Sequence, residues 1–185
     1  MDNGASSYRR FLDGDENGMV EIIRDYKDGL MLYLNSFTRN IYTAEELMEE
    51  TFVRLVVKRP KFSEKYSFKT WLYTIGRNVA VDCSRRNSRT VSLSHEEMQS
   101  MLDEEKSLEQ AYIQNEEKIA VHQAMKKLKT EYRQVLYLTF FEELDNAQTA
   151  AVMKKSRRQI ENLIYRAKSS LKKELEKEGF VYEGL

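Results

Sequence analysis

Nine lysines and arginines stand against three acids between Ala151 and Lys177, so this stretch carries the charge that phosphate attracts. A helix of period 3.6 through it places Ile160, Leu163, Ile164, Ala167, Leu171 and Leu175 on one buried stripe. Arg157, Arg158, Glu161, Asn162, Tyr165, Arg166 and Lys168 are then left outside or on the margin. Guanidinium forks and side-chain amides match base edges in a major groove, whereas lysines and a helix N-terminus suit backbone phosphates. A solvated face on an ordinary bundle helix would have the same composition. What separates the two readings is the local context. Asp145 with Gln148 and Ser156 with Gln159 make two capping boxes, the first opening a short helix through Met153 and the second a long one through about Lys177. A short helix, a tight turn and a longer basic helix are the parts of a helix-turn-helix, here Asp145 to Lys177.

The elements that must carry such a site are all helical. One proline, Pro60, and seven glycines in 185 residues leave long stretches free of breakers, with apolar spacings of 3, 4 or 7. Val20, Ile23, Leu30, Leu34 and Phe37 share a face of one helix. A second opens at Thr43, with Glu46 completing a capping box, repeats apolar pairs at Leu47/Met48, Thr51/Phe52 and Leu55/Val56, and closes before Pro60. Its opposite face carries Glu45, Glu46, Glu49 and Glu50. After the loop KFSEKYS a third helix buries Phe68, Trp71, Leu72, Ile75, Val79 and Cys83. It turns Lys69, Tyr73, Arg77, Asn78 and Ser84 outward and ends in the cations Arg85, Arg86 and Arg89.

From Val91 to Glu117 eight acids face one lysine, and periodicity fades, which reads as a flexible acidic linker. Periodicity resumes at Ile113, Ile119, Met125 and Leu128, then Tyr132, Val135, Leu136 and Phe140. The expected architecture is all-α, with two small helical domains. A helical bundle over residues 1–88 is joined by a linker, 89–110, to a helix-turn-helix domain over 111–185.

Several functions are disfavoured. The lone Cys83 cannot form an internal disulfide, and His95 and His122 have no zinc-ligand spacing, so a reducing cytoplasm is expected and no metal or other cofactor. No paired carboxylates, activated nucleophile or phosphate loop can be assembled, so no catalysis is expected. The first residues lack a signal-peptide apolar core, and no run reaches the ~18 apolar residues of a membrane span.

Two blocks together resemble the extracytoplasmic-function sigma factors, small bacterial promoter-recognition subunits of RNA polymerase. AEELMEETFVRL, Ala44 to Leu55, is similar to the family's polymerase-docking helix. FKTWLYTIGRNVAVDCSRR, Phe68 to Arg86, is similar to its minus-10 helix, with Trp71, Leu72, Ile75, Arg77, Asn78, Asp82, Arg85 and Arg86 at the expected places. The stretch from Leu128 to Lys173 resembles the minus-35 domain through its tyrosine-arginine pair, alanine-rich first helix and closing arginine-alanine-lysine. The resemblance implies core RNA polymerase and promoter DNA as partners, and a cognate anti-sigma factor.

Carried onto this chain, the resemblance implies docking on polymerase through Glu45, Glu46, Glu49, Glu50 and Arg54. It implies a pocket for a flipped non-template base at Phe62, Ser63, Lys65 and Tyr66, with Lys69, Tyr73, Arg77, Asn78, Arg85 and Arg86 on the minus-10 strand. The minus-35 element falls to Ser156, Arg157, Arg158, Gln159, Glu161, Asn162, Tyr165, Arg166 and Lys168. Departures from the pattern are Glu49 where glutamine is usual, Lys154 where the turn favours glycine, and Glu161 and Leu163 at commonly basic positions. A left-handed Lys154 would be strained by roughly 1 kcal/mol. Two other functions stay open: a dimeric helix-turn-helix regulator, which leaves Trp71 to Arg86 unexplained, and a sigma-like protein-binding module, which Glu161 and Leu163 favour.

Overall fold

The computed structural model describes residues 3–87 and 116–177; the expected linker and Ile113 lie outside these residues. Eight α-helices and no strand occur among the described residues, and the chain divides into two compact units.

The first unit holds α1 (Asn3–Leu12), α2 (Asn17–Thr38), α3 (Ile41–Lys58) and α4 (Phe68–Asn87). α2 packs on α1, α3 and α4, and α3 also packs on α4. The core between them is made by Ile22, Leu30 and Leu34 of α2, Ala44, Leu47 and Leu55 of α3, and Phe68, Leu72 and Val79 of α4. Gly76 permits the close approach of α4 to α2, since a Cβ there would lie 2.9 Å from Leu30 Cδ1. α3 stops at Lys58 because Arg59 turns left-handed at φ 42°, its N–H bonded to Leu55 O at 3.1 Å, before Pro60.

Two expectations are corrected. Val20 and Ile23 are exposed, at 62% and 38%, because α1 covers the neighbouring face of α2, which carries Gly18, Met19 and Ile22. The cap of α3 is Asn40 rather than Thr43: Asn40 Oδ1 accepts from Thr43 N at 2.8 Å, so the helix starts three residues earlier and buries Ile41.

The second unit contains α5 (Glu116–Lys126), α6 (Thr130–Leu136) and α8 (Arg157–Lys177), and both α5 and α6 pack on α8. Met125, Leu128, Val135 and Leu136 are buried as expected, while Phe140 is 51% exposed. The cause is a single π turn, Tyr137–Phe141, that continues α6 and closes with Glu142 N donating to Tyr137 O at 3.1 Å. The extra residue in the turn shifts the phase, so Tyr137 and Leu138 go inward and Phe140 outward. Arg133, only 3% exposed, donates to Leu128 O at 2.8 Å and to Thr130 Oγ1 at 3.2 Å, fixing the α5–α6 corner with a buried cation.

Candidate nucleic-acid interface

The helix-turn-helix geometry follows from short-range hydrogen bonds. At the start of α7 (Asn146–Met153), Gln148 N donates to Asp145 Oδ1 at 2.8 Å and Asp145 N donates to Gln148 Oε1 at 3.0 Å. At the start of α8 the same reciprocal box recurs, Gln159 N to Ser156 Oγ at 3.2 Å and Ser156 N to Gln159 Oε1 at 2.7 Å. Between them Lys154 is left-handed, at φ 54°, and Lys155 N donates to Ala150 O at 3.1 Å, closing α7 as a Schellman turn. Lys155 Nζ meets Glu131 at 2.9 Å and pins the turn to α6.

Ile160, Ala167 and Leu175 of α8 are buried, with Leu163, Ile164 and Leu171 half-buried beside them. Ser156, Arg157, Arg158, Gln159, Glu161, Asn162, Tyr165, Arg166 and Lys168 are all exposed, Tyr165 at 79%. Not all are equally disposed to reach outward. Arg157 Nε is 3.3 Å from Glu161 Oε1, and Lys168 Nζ lies 4.8 Å from the centre of the Phe140 ring. The middle of the face, opposite the buried stripe, belongs to Arg158, Asn162, Tyr165 and also Ser169, an exposed residue that the sequence reading passed over; its spacing of four from Tyr165 was the available signal.

In the first unit an aromatic cluster underlies the loop before α4. Phe62 meets Phe68 and Trp71 edge-on at 5.6 and 5.2 Å, and Tyr8 packs on the same two rings at 5.7 and 5.2 Å. Phe68 is fully buried and Trp71 half-buried, so both serve the core. Ser63, Lys65 and Tyr66 are exposed, with Lys65 Nζ 5.6 Å from the Tyr66 ring centre. Phe62 thus packs inward on the α4 rings, whereas Ser63, Lys65 and Tyr66 face solvent.

On α4 the expected outward set divides. Tyr73 is corrected: it is fully buried, its ring 5.3 Å from that of Tyr33, and does not face a strand. The residue lies five past Phe68, on the flank that α2 covers. Arg77 is half-buried with its Nε inward. Burial pushes the Tyr33 hydroxyl far up from its usual pKa, and the Arg77 charge opposes this. Lys69 and Asn78 are half-buried, whereas Ser84, Arg85 and Arg86 are exposed. Cys83 is half-buried and free of any disulfide.

The acidic face of α3 also divides. Glu46 and Glu49 are exposed and Glu45 half-buried. Glu50 binds Arg54 at 2.5 Å and approaches Arg86 at 3.8 Å, and Arg54 approaches Asp82 at 3.8 Å. Glu50 and Arg54 therefore knit α3 to α4 as well as facing outward. Among the described residues no cluster fit for a metal is present, and no helix is long and apolar enough to cross a membrane.

Sequence reasoning missed α1 and its link to the loop. Tyr8 is fully buried, its hydroxyl pushed up to about 12 by burial and held back by the Arg59 charge. No local pattern foretells a partner 52 residues away.

A helical unit with a loop packed on an aromatic cluster and a basic helix end, and a second unit presenting a basic helix opened by a reciprocal capping box, define a two-part nucleic-acid-binding protein. Residues 22–90 match the family model for Sigma-70 region 2 and residues 118–171 that for Sigma-70 region 4. The ECF RNA polymerase sigma factors SigW and SigM of Bacillus subtilis (strain 168) are each 26% identical to it, over 88% and 82% of this chain and 91% of each relative. Among solved structures, the sigma factor RpoE, crystallised with the anti-sigma factor NepR from Bartonella quintana, superposes with TM-score 0.64 at 16% identity. It covers 84% of this chain and 95% of that one. CnrH, in complex with the cytosolic domain of CnrY, gives 0.63 at 19% identity, covering 94% and 95%. The chain belongs to the extracytoplasmic-function group of the RNA polymerase sigma factor family.

Proposed function

We propose that this sigma factor divides promoter recognition as follows. α8 enters the major groove of the minus-35 element, with Arg158, Asn162, Tyr165 and Arg166 at base edges and Ser156, Arg157, Gln159 and Lys168 near phosphates. The Phe62 to Tyr66 loop receives an unpaired minus-10 base, and Lys69, Asn78, Arg85 and Arg86 hold the strand beside it. Glu45, Glu46 and Glu49 dock on a basic surface of core RNA polymerase. The working domains are residues 1–88 and 111–185, with 89–110 between them.

No bond is broken in such a function. Binding energy is converted into strand opening because a base held outside the stack offsets the few kcal/mol of its unpairing. The observation that supports the reading most is the doubly capped α7–α8 pair, whose outward face carries two arginines and an amide clear of the core. We further infer an anti-sigma factor as inhibitor, since one structural neighbour was solved with an anti-sigma factor and another with the cytosolic domain of CnrY, and, from the sigma factor family, a cytoplasmic location and no enzymatic activity. Run-off transcription with purified core polymerase over genomic promoter fragments tests the reading. Defined start sites are expected, and their absence would refute it.

A second reading, a sigma-like protein-binding module, draws on the Arg157–Glu161 pair, which neutralises one cation of the reading helix. Replacing Arg158 and Arg166 would leave selective transcription untouched under that reading and abolish it under the first.

A further inference from the structure

The first helix, α1, precedes the residues 22–90 that match region 2 and carries none of the residues assigned above. Its contacts converge on one segment. Tyr8 Oη donates to Pro60 O at 2.8 Å, Arg9 binds Glu64 at 2.6 Å, and the Arg59 guanidinium sits 5.1 Å from the centre of the Phe11 ring. The Tyr8 ring packs on Phe68 and Trp71, the rings that back Phe62. α1 thus touches the loop at its start and its middle and the helix α4 that follows it, and the loop's exposed members Ser63, Lys65 and Tyr66 lie between those points.

The sequence permits this closeness at two glycines. A Cβ on Gly4 would lie 2.4 Å from the Phe68 ring, and one on Gly18 would lie 2.2 Å from Ser7 O. α1 is in turn fixed to α2 by Glu21, which accepts from Ser7 Oγ at 2.6 Å and pairs with Arg10, while Arg10 also pairs at 3.0 Å with Asp15 of the connecting turn. The loop itself, from Pro60 to Ser67, has no helix or strand to hold its shape. Ordering such a segment costs backbone entropy at every residue, so its shape must be held by neighbours, and α1 contacts it at both Pro60 and Glu64.

We propose that α1 is a positioning element for promoter opening: Tyr8, Arg9 and Phe11 hold the 59–67 segment in the form that presents Ser63, Lys65 and Tyr66 to an unpaired base. The proposal rests on the reading of that segment as the base-capturing one. None of the three residues touches DNA; they act through the loop.

The test uses the full chain assembled with core polymerase at saturating concentration. Opening is followed by the fluorescence of 2-aminopurine placed in the non-template strand of the minus-10 element. Tyr8→Phe keeps the ring and removes one hydrogen bond, and is expected to slow opening about fivefold. Arg9→Glu breaks a pair whose side chains are 61% and 72% exposed, too solvated to matter to folding, and is expected to slow opening up to about fivefold. The swapped double variant Arg9→Glu/Glu64→Arg should restore the wild-type rate, while core binding stays constant in every variant and the unfolding midpoint stays constant in the Arg9 and Glu64 variants. Tyr66→Ala separates the two levels of the argument. If Tyr66→Ala opens promoters at the wild-type rate, the reading of the segment fails. If Tyr66→Ala is slow but Tyr8→Phe and Arg9→Glu are not, or the swap does not rescue, the role of α1 is overturned.

Discussion

Arg157 Nε lies 3.3 Å from Glu161 Oε1, one turn along the same exposed helix face. The carboxylate is the only anion between Arg157 and Lys173 of α8. It restrains a cation that would otherwise meet phosphate, and its free oxygen can accept from an exocyclic amine such as cytosine N4. Glu161→Gln should therefore strengthen binding to unrelated DNA and weaken discrimination at one base pair by about tenfold, the worth of one base contact. Titrating minus-35 duplexes substituted singly at each position measures both. A uniform gain with unchanged discrimination would leave Glu161 as a restraint on Arg157 alone.

Arg158 and Arg166 stand exposed with no counter-ion pair among the described residues. Arg158→Ala should cost about 1–3 kcal/mol at its preferred base and little elsewhere. A loss spread evenly over all sequences, with the slope of log K against log salt reduced by about 0.9, would place it on phosphate.

Lys154 occupies the left-handed position of the α7 turn at φ 54°. Glycine has no Cβ to oppose that conformation, so Lys154→Gly should stabilise the helix-turn-helix by up to about 1 kcal/mol, read as a raised urea midpoint. The neighbouring Lys155–Glu131 pair at 2.9 Å is untouched by the change.

Arg133 is buried at the α5–α6 corner, with Leu128 O at 2.8 Å and Thr130 Oγ1 at 3.2 Å as acceptors. Arg133→Met keeps most of the volume and leaves those acceptors without their donor. A loss of about 1–3 kcal/mol is expected on urea unfolding. An unchanged midpoint would mean that water replaces the guanidinium without cost.

Two buried tyrosines make the first unit sensitive to alkali. Burial raises the Tyr33 hydroxyl, and raises Tyr8 to about 12 from 10.0. The folded state holds these protons more tightly than the unfolded chain does, so their stabilisation is complete below pH 10 and falls as pH rises from there towards 12. Tyr33→Phe removes its share of that dependence. It also removes a buried hydroxyl that has no hydrogen-bond partner among the described residues, and stability at pH 7 should rise. Unfolding midpoints between pH 7 and 11.5 check both.

What the sequence alone determined is whatever depends on neighbours a few residues apart. Both capping boxes, Asp145/Gln148 and Ser156/Gln159, and the outward face of α8 were legible because an i to i+3 hydrogen bond or a 3.6-residue period is written locally. The all-helical class and the resemblance to sigma factors followed from the same kind of signal. Tertiary structure decided the rest. Tyr73 and Trp71 are both aromatic and two residues apart, yet which is wholly buried depends on where α2 lies against α4. Val20 and Ile23 lost their place in the core to Met19 and Ile22 because α1 covers one side of α2 and not the other. Phe140 turned outward at a π turn whose backbone bond shifts the phase. The clasp from Tyr8 to Pro60 and from Arg9 to Glu64 joins residues more than fifty apart, whose meeting is set by packing and not by spacing.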